Sequence, residues 1–270
     1  MIRKLLALPN EDTRKVIFVA LTLCLVCASV VSAAAVMLRP LQDANSALDR
    51  KKNILVAAGL LETGAGAEPE RIEALFAERV ETRLVDLQSG EFDTSIEADS
   101  FDPRAAALDP ERSLKLDKSE DIAGIGRRAK LAPVYLVRDD RGDLDQLVIP
   151  VHGYGLWSTM YGYLSLRSDL NTVAGITFYE HGETPGLGGE IENPAWQALW
   201  VDKQVYGTSG APELRVIKGA VPAGAAGAEH QVDGISGSTL TGKGVSNLVT
   251  YWLGDSGFGP FLERIRETGV

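Results

Sequence analysis

The sequence predicts an α+β protein in which one N-terminal transmembrane helix precedes a soluble domain built mainly on antiparallel sheet. Three observations lead there. Residues 16–37 carry no charge and are bracketed by Arg14-Lys15 and Arg39. At about 1.5 Å per residue such a helix spans roughly 33 Å, enough to cross a bilayer. Two β-rich runs, 133–138 and 146–151, flank the polar stretch Asp139-Asp140-Arg141-Gly142-Asp143, which is the pattern of an antiparallel hairpin. The strand-like and helix-like stretches around them alternate irregularly, unlike the regular order of a doubly wound sheet.

In chain order the expected parts are a cytoplasmic N-terminus over 1–15, a transmembrane helix over 16–38, a stalk over 39–62 and a soluble domain over 63–270. The Arg14-Lys15 doublet abuts the apolar run and favours a cytoplasmic N-terminus, against the opposing Arg39, Arg50, Lys51 and Lys52. A cleaved signal peptide would use Val31-Ser32-Ala33 or Ala33-Ala34-Ala35, but the uncharged stretch is long for a signal sequence. Both cysteines, Cys24 and Cys27, lie inside this run. The domain beyond it therefore has no thiol for a disulfide, an iron–sulfur cluster or a thiolate metal site. Residues 41–61 place Leu48, Ile54, Leu55 and Ala58 at helix-like intervals, and Thr63-Gly64-Ala65-Gly66 breaks the pattern.

Ile72, Leu75, Phe76, Val80 and Leu84 recur at helical spacing and predict a core helix over 70–84. The acidic stretch 88–118, interrupted by Pro103 and Pro110, reads as loops. A strand is expected over 173–179. Asn193-Pro194 supplies an N-cap and a first-turn proline for a helix carrying Trp196, Leu199 and Trp200. Residues 220–228 form a Gly/Ala surface loop, 245–253 a buried helix and 261–268 a short amphipathic one.

Thirty-seven acidic residues against 27 basic ones leave a net charge of −10. A nucleic-acid partner is set aside, because phosphate backbones need a basic stripe. The densest cluster of small polar residues is Asp233-Gly234-Ile235-Ser236-Gly237-Ser238-Thr239-Leu240-Thr241, just ahead of an apolar run. Such a segment brings backbone N–H groups and hydroxyls close to a phosphate. It is no P-loop: Gly244 stands where a Ser or Thr must reach magnesium, and 229–233 is too polar for the preceding strand. Gly153-Tyr154-Gly155-Leu156-Trp157-Ser158 begins like a dinucleotide fingerprint and lacks the third glycine. The 139–143 acids lack the loop length of an EF-hand. Residues 179–190 hold His181 among acids without metal-ligand spacing, and no metal site is expected. Their glycines better serve a backbone that approaches a flat ligand.

The stretch 232–241 resembles the covalent flavinylation motif of FMN-binding domains, in which the phosphate of FMN is esterified to a threonine hydroxyl. The wider chain is similar to the C subunits of Na⁺-translocating NADH:quinone reductases. That resemblance is carried by Leu23-Cys24-Leu25-Val26-Cys27, Asn53-Ile54-Leu55, Ala58-Gly59-Leu60 and the runs 155–162 and 177–190. The G subunit of the Rnf complex shares the threonine motif, but the membrane-proximal and glycine-rich runs favour the reductase.

The resemblance implies Thr239 as the FMN acceptor, with Ser236, Gly237, Ser238 and Thr241 around the phosphate. Ser238 stands where the family usually has alanine, and Ser238 and Thr241 are the lesser acceptor candidates. Asp233 belongs to the part read by a flavin transferase. Leu156, Trp157, Ser158, Thr159, Glu183, Thr184, Leu187 and Gly188 match runs that line the flavin, and Lys218 would add positive charge. No residue of the chain is expected to be catalytic on its own. The implied role is to relay single electrons from an iron–sulfur centre to a flavin in the B subunit of a Na⁺-pumping complex that oxidises NADH and reduces ubiquinone. The B, D and E subunits, a flavin transferase and membrane lipid are the implied partners, in a bacterial inner membrane with the soluble domain periplasmic. The alternative from another class is a membrane-anchored noncatalytic assembly module whose Gly/Ser/Thr loop is structural.

Overall fold

Helix α1, Thr13–Ala57, runs through the uncharged stretch and beyond it. The computed structural model describes residues 9–62 and 66–269, and the chain divides into two compact units between Asp49 and Arg50. In the first unit Leu21, Leu25, Val31 and Met37 are exposed. An apolar surface of that length suits lipid rather than water, and α1 is long and apolar enough to cross a membrane. Thr22 and Ser29 return their hydroxyls to the carbonyls of Phe18 and Leu25, 2.8 Å in each case, which satisfies both donors within the helix.

The expected stalk over 39–62 is divided differently. Residues 50–62 belong to the second unit, where Ile54, Leu55, Ala58 and Leu61 are buried. Gln146 Nε2 donates to the Ala58 carbonyl at 3.0 Å. The break expected at 63–66 falls on 63–65, and most of the expected N-terminus on 1–8, both outside the described residues.

In the second unit helix α2, Pro69–Arg79, leads into strand β1, Val80–Asp86. The helix expected to reach 84 thus stops five residues early. Val80 to Asp86 pair instead, residue by residue, with Val137 to Leu131. Arg79 clamps the switch, donating from Nε to the Arg138 carbonyl at 2.7 Å and pairing with Asp140 at 2.9 Å. Sheet pairing of β-branched Val80, Thr82 and Val85 overrides their helical spacing.

Strand β2, Phe92–Asp93, helix α3, Pro103–Leu108, and strands β3, Ser113–Lys115, and β4, Arg127–Ala129, follow. Helix α3 lies in a stretch expected to be loops. Asp102 caps it by accepting from the Arg104 and Ala105 N–H groups, with Pro103 in the first turn. The main sheet is completed by β5, Leu131–Arg138, β6, Leu144–Tyr154, β7, Thr159–Arg167, and β8, Val173–Glu180. Its order is β2-β1-β5-β6-β7-β8, antiparallel throughout. The expected hairpin is present, with Asp139 accepting from the N–H groups of Arg141 and Asp143 in its turn.

Helix α4, Pro194–Gln197, starts from the Asn193 cap. Strands β9, Arg215–Val216, and β10, Gln231–Val232, pair in parallel across the Gly/Ala loop. Helices α5, Thr239–Leu253, and α6, Gly259–Thr268, close the chain. Val245, Leu248, Trp252 and Phe261 from these helices share one buried cluster with Val151, Met160 and Leu164 of the sheet. Each such side chain contributes roughly 1.5–3 kcal/mol through burial.

His152 lies in this interface, stacked on Tyr161 at 5.4 Å and tilted against Trp252 at 4.8 Å. Burial, helped by the Arg104 charge, pushes its imidazole down to about 4. Below about pH 6.5 the unfolded chain binds a proton that the folded one refuses until about pH 4, so acidification across that window destabilises the fold. At pH 5 the loss is about 2 kcal/mol, or roughly 4–8 °C. His152→Phe is expected to remove that part of the decline in thermal midpoint between pH 7.5 and pH 5. An unaltered pH profile in the variant would contradict this account.

Candidate functional site

The turn between β6 and β7, residues 155–158, closes through the Gly155 N–H and the Ser158 carbonyl at 2.8 Å. A second loop leaves β8 at Glu180, tightened by the Thr184 carbonyl, which accepts from the Leu187 and Gly189 N–H groups at 3.1 and 2.9 Å. Ser158 Oγ accepts from the Gly182 N–H at 2.6 Å and joins the two.

Glu183 is the centre of this arrangement. It is 5% exposed. Its Oε1 accepts from the N–H groups of Leu156 at 3.0 Å and Trp157 at 2.9 Å, and its Oε2 accepts from Thr241 Oγ1 at 2.5 Å. One carboxylate therefore ties the turn, the glycine-rich loop and helix α5 together. Burial pushes its carboxyl up, but the bonds from Thr241 and from the backbone of Trp157, Leu156 and Ser158 outweigh it and hold the group below the ordinary value. At Gly188 a Cβ would stand 2.6 Å from Thr241 Oγ1 and 2.8 Å from Glu183 Oε2. Only glycine lets the loop pass there.

Helix α5 begins at Thr239, six residues before the expected start at 245. Gly244 explains the imperfect P-loop pattern physically. A Cβ at that position would lie 2.6 Å from the Tyr154 carbonyl oxygen, so the helix packs directly on the end of β6 and leaves no room for a hydroxyl side chain. Ser238 is the N-cap residue, yet its side chain makes no capping bond. Among the described residues the N–H groups of Thr239, Leu240 and Thr241 have no backbone partner, as expected of a first helical turn.

Beside this turn lies an open groove of about 660 Å³ whose lining includes Lys218, Asp233, Ser236, Ser238, Thr239 and Lys243. Its far wall is drawn in by the β9–β10 pair. The Ile217 N–H donates to Val232, and the Gly234 N–H to Gly219 at 2.7 Å. Asp233 Oδ1 accepts from the Val221 N–H at 2.8 Å, and its carbonyl accepts from Trp196 Nε1 at 2.9 Å.

The expected site residues thus fall into two groups. Glu183 gathers Leu156, Trp157, Ser158, Gly188 and Thr241, with Thr159 opening β7 beside Tyr154 and Leu187 and Thr184 exposed on the loop. The groove gathers Lys218, Asp233, Ser236, Gly237, Ser238 and Thr239. Trp157 is 64% exposed, and Leu156 and Leu187 also present apolar surface. Thr241 is fully buried, and it and Glu183 satisfy each other. They brace the site instead of presenting free groups to a ligand. Asp233 likewise holds its own loop. Two groove cations, Arg215 and Lys243, were not among the expected site residues. The four-residue spacing from Thr239 to Lys243 points to the second once the helix start is known.

Hydroxyls and unpaired N–H groups at a helix start share a groove with three cations, and Leu187 lies against Gly237 at its edge, an arrangement whose chemistry suits a phosphorylated ligand. Residues 155–254 match the family described as FMN-binding domain, and the donor set fits a phosphoryl group while Trp157, Leu156 and Leu187 fit a flat ring. The chain is 51% identical over 258 residues to the C subunit of the Na(+)-translocating NADH-quinone reductase of Pseudomonas aeruginosa, covering 96% of this chain and 98% of that one. The C subunit of the Yersinia pestis reductase is 47% identical, over 96% of this chain and 95% of its own. The crystal structure of Shewanella oneidensis NqrC superposes with a TM-score of 0.74 at 38% identity, covering 81% of this chain and 97% of that one. The chain belongs to the NqrC family, the C subunits of the Na(+)-translocating NADH-quinone reductases.

The Glu183 brace has a pH signature. Its depressed carboxyl contributes stability that is complete above the ordinary carboxylate range and is lost as pH falls through the lower folded value. Glu183→Gln should cost about 1–3 kcal/mol at neutral pH. The gap in melting temperature from the parent should narrow toward about pH 3.5, below the unfolded carboxyl value. A gap of constant size across that range would sink the assignment.

Proposed function

We propose that Thr239 carries FMN as a phosphoester on Oγ1, and that the chain relays single electrons within a Na⁺-translocating NADH:quinone reductase. One observation carries the choice of residue. Of the three hydroxyls at positions 238, 239 and 241, Ser238 is 5% exposed and Thr241 is buried and bonded to Glu183, whereas Thr239 is exposed and lines the groove.

The redox chemistry is that of FMN, with electrons received from an iron–sulfur centre and passed on to a flavin in the B subunit. The chain's own groups bind and orient. The unpaired N–H groups of the first turn and Lys218 across the groove favour the phosphate charge. Trp157, Leu156 and Leu187 offer an apolar face to the ring, and Ser158, Thr159 and Thr184 hold the backbone around it. A covalent link removes the need for tight noncovalent affinity, so the ring can stay open to a redox neighbour. Asp233 is read by the flavin transferase as part of its motif, in a loop that its own carboxylate shapes. NADH and ubiquinone are handled elsewhere in the complex, with the B, D and E subunits as neighbours. Helix α1 anchors the chain by one pass in the bacterial inner membrane, residues 1–15 cytoplasmic, 16–38 spanning and the FMN-binding domain periplasmic.

The full chain coexpressed with a flavin transferase should show flavin fluorescence on a denaturing gel and an intact mass raised by the flavin nucleotide. Thr239→Ala should lose both signals, while Ser238→Ala and Thr241→Ala keep them. A label that survives in Thr239→Ala would reassign the acceptor, and an unlabelled parent would remove the proposal.

A further inference from the structure

His181 opens the glycine-rich loop, directly after Glu180 ends β8. Its Nδ1 accepts from the Glu183 N–H at 3.1 Å. That bond uses the Nδ1 lone pair, so the neutral ring carries its proton on Nε2. The side chain is 8% exposed, and Nε2 stands 2.9 Å from Glu192 Oε1 but off the hydrogen-bond line, which leaves this buried N–H without a hydrogen-bond partner among the described residues. With one nitrogen bonded to the loop and the other protonated, the ring has no free lone pair for a metal ion.

The bond fixes the start of the loop. The N–H groups of Gly182 and Glu183 go to Ser158 Oγ at 2.6 Å and to His181. Glu183 then turns its carboxylate onto the β6–β7 turn and Thr241. The ring also lies near Gly189, where a Cβ would stand 3.7 Å from its Cε1. Beside it is an open cavity of about 330 Å³, lined in part by Glu183, Glu190, Glu192 and Asn193. The charged groups around the ring are therefore Glu190 and Glu192 of the turn 188–192 and Glu183 of its own loop, with Asn193 Nδ2 donating to Glu190 Oε2 at 2.7 Å. Glu180, its neighbour in the chain, pairs with Arg104 of α3 at 2.7 Å. Among the described residues no lysine or arginine lines the cavity.

These contacts make opposed demands on one proton. An imidazolium has no lone pair on either nitrogen, so it cannot accept from the Glu183 N–H. The nearby carboxylates attract that same positive charge. We propose that His181 is the positioning residue of the glycine-rich loop: as the neutral Nε2–H tautomer it holds Glu183 in place, and a proton taken up at Nδ1 breaks that bond and frees the start of the loop. The proton displaces the Glu183 N–H, and Glu192 holds the imidazolium from the Nε2 side. Histidine changes charge between about pH 8 and pH 5, so the latch works under mild conditions. Its consequence rests on the flavin reading above. Thr184, Leu187 and Gly188 follow on the same loop, and freeing its start alters the surroundings of the bound ring.

The latch itself is tested on the full-length chain produced without a flavin transferase. Amide hydrogen exchange of residues 178–190 is compared at about pH 7.5 and pH 5.5, corrected for the intrinsic pH dependence of exchange. Protection is expected to fall by about tenfold on acidification. His181→Asn keeps an acceptor for the N–H two residues on, as in an Asx turn, and cannot take up the proton. It is expected to stay protected at both pH values, and because both chains retain His152 the comparison cancels that residue's effect. His181→Leu, with no acceptor, should lose about tenfold in protection even at pH 7.5, and Glu192→Gln should move the transition to lower pH. A flat profile in the parent, or an Asn variant that falls like its parent, would overturn the latch. So would a folded Leu variant as well protected as the parent; if that variant does not fold, the parent and Asn profiles decide alone. In the flavin-labelled chain the visible circular dichroism of the ring is expected to change over the same interval and to stay constant in His181→Asn. A ring signal indifferent to this pH change would overturn the link to the flavin. A chain that never gains flavin removes the Thr239 reading, while the exchange result still decides the latch.

Discussion

The Glu183 carboxylate is the interaction on which the site depends. It collects two backbone N–H groups from the β6–β7 turn and the hydroxyl of Thr241 from α5, joining segments that lie 26 to 58 residues away in sequence. Losing it would leave three polar groups without their acceptor, each at a cost of about 1–3 kcal/mol. It also sets the direction in which the helix presents its hydroxyls. Side chains two positions apart on an α-helix diverge by roughly 200°, so anchoring Thr241 inward turns Thr239 outward. Burial of one threonine thereby selects the other.

Close backbone approach makes that geometry reachable. The loop at Gly188 passes against the Glu183–Thr241 bond, and α5 meets the end of β6 at Gly244. Both contacts exclude any larger residue. On the other side of α5, the short parallel β9–β10 pair and the Asp233 carboxylate bring the segment after Val216 up to the first helical turn. The groove is thus walled by one rigid helix and one hydrogen-bonded clasp. Its cations come from both walls, Lys243 from the helix and Arg215 and Lys218 from the clasp. Their convergence in an acidic chain concentrates positive potential in this groove.

Much of the fold was legible because its signals are local. The apolar run over 16–37, the hairpin around Asp139 and the Asn193 cap each depend on neighbours a few residues away, and each element is present. Errors came where distant partners decide. Val80 to Leu84 have helical spacing but find a complete strand partner in 133–137, and the pairing wins. Leu55 and Ala58 look like stalk residues until the second unit buries them. Asp102 caps a helix that two prolines and an acidic composition had disguised.

The site divides in the same way. Residue identity and spacing are enough to establish that hydroxyls and glycines cluster at 233–241 and that the P-loop and dinucleotide patterns fail. Through the runs 155–162 and 177–190 they also establish which family the chain resembles. Three further outcomes waited for the folded chain: Glu183 and Thr241 face each other instead of a ligand, Thr239 is the exposed one of the hydroxyls at 238, 239 and 241, and Lys243 shares a groove with Lys218. Each of them depends on which side of a helix is buried and on contacts across 25 to 58 residues of chain. Such distances are bridged by packing and hydrogen bonding, and no local pattern encodes them.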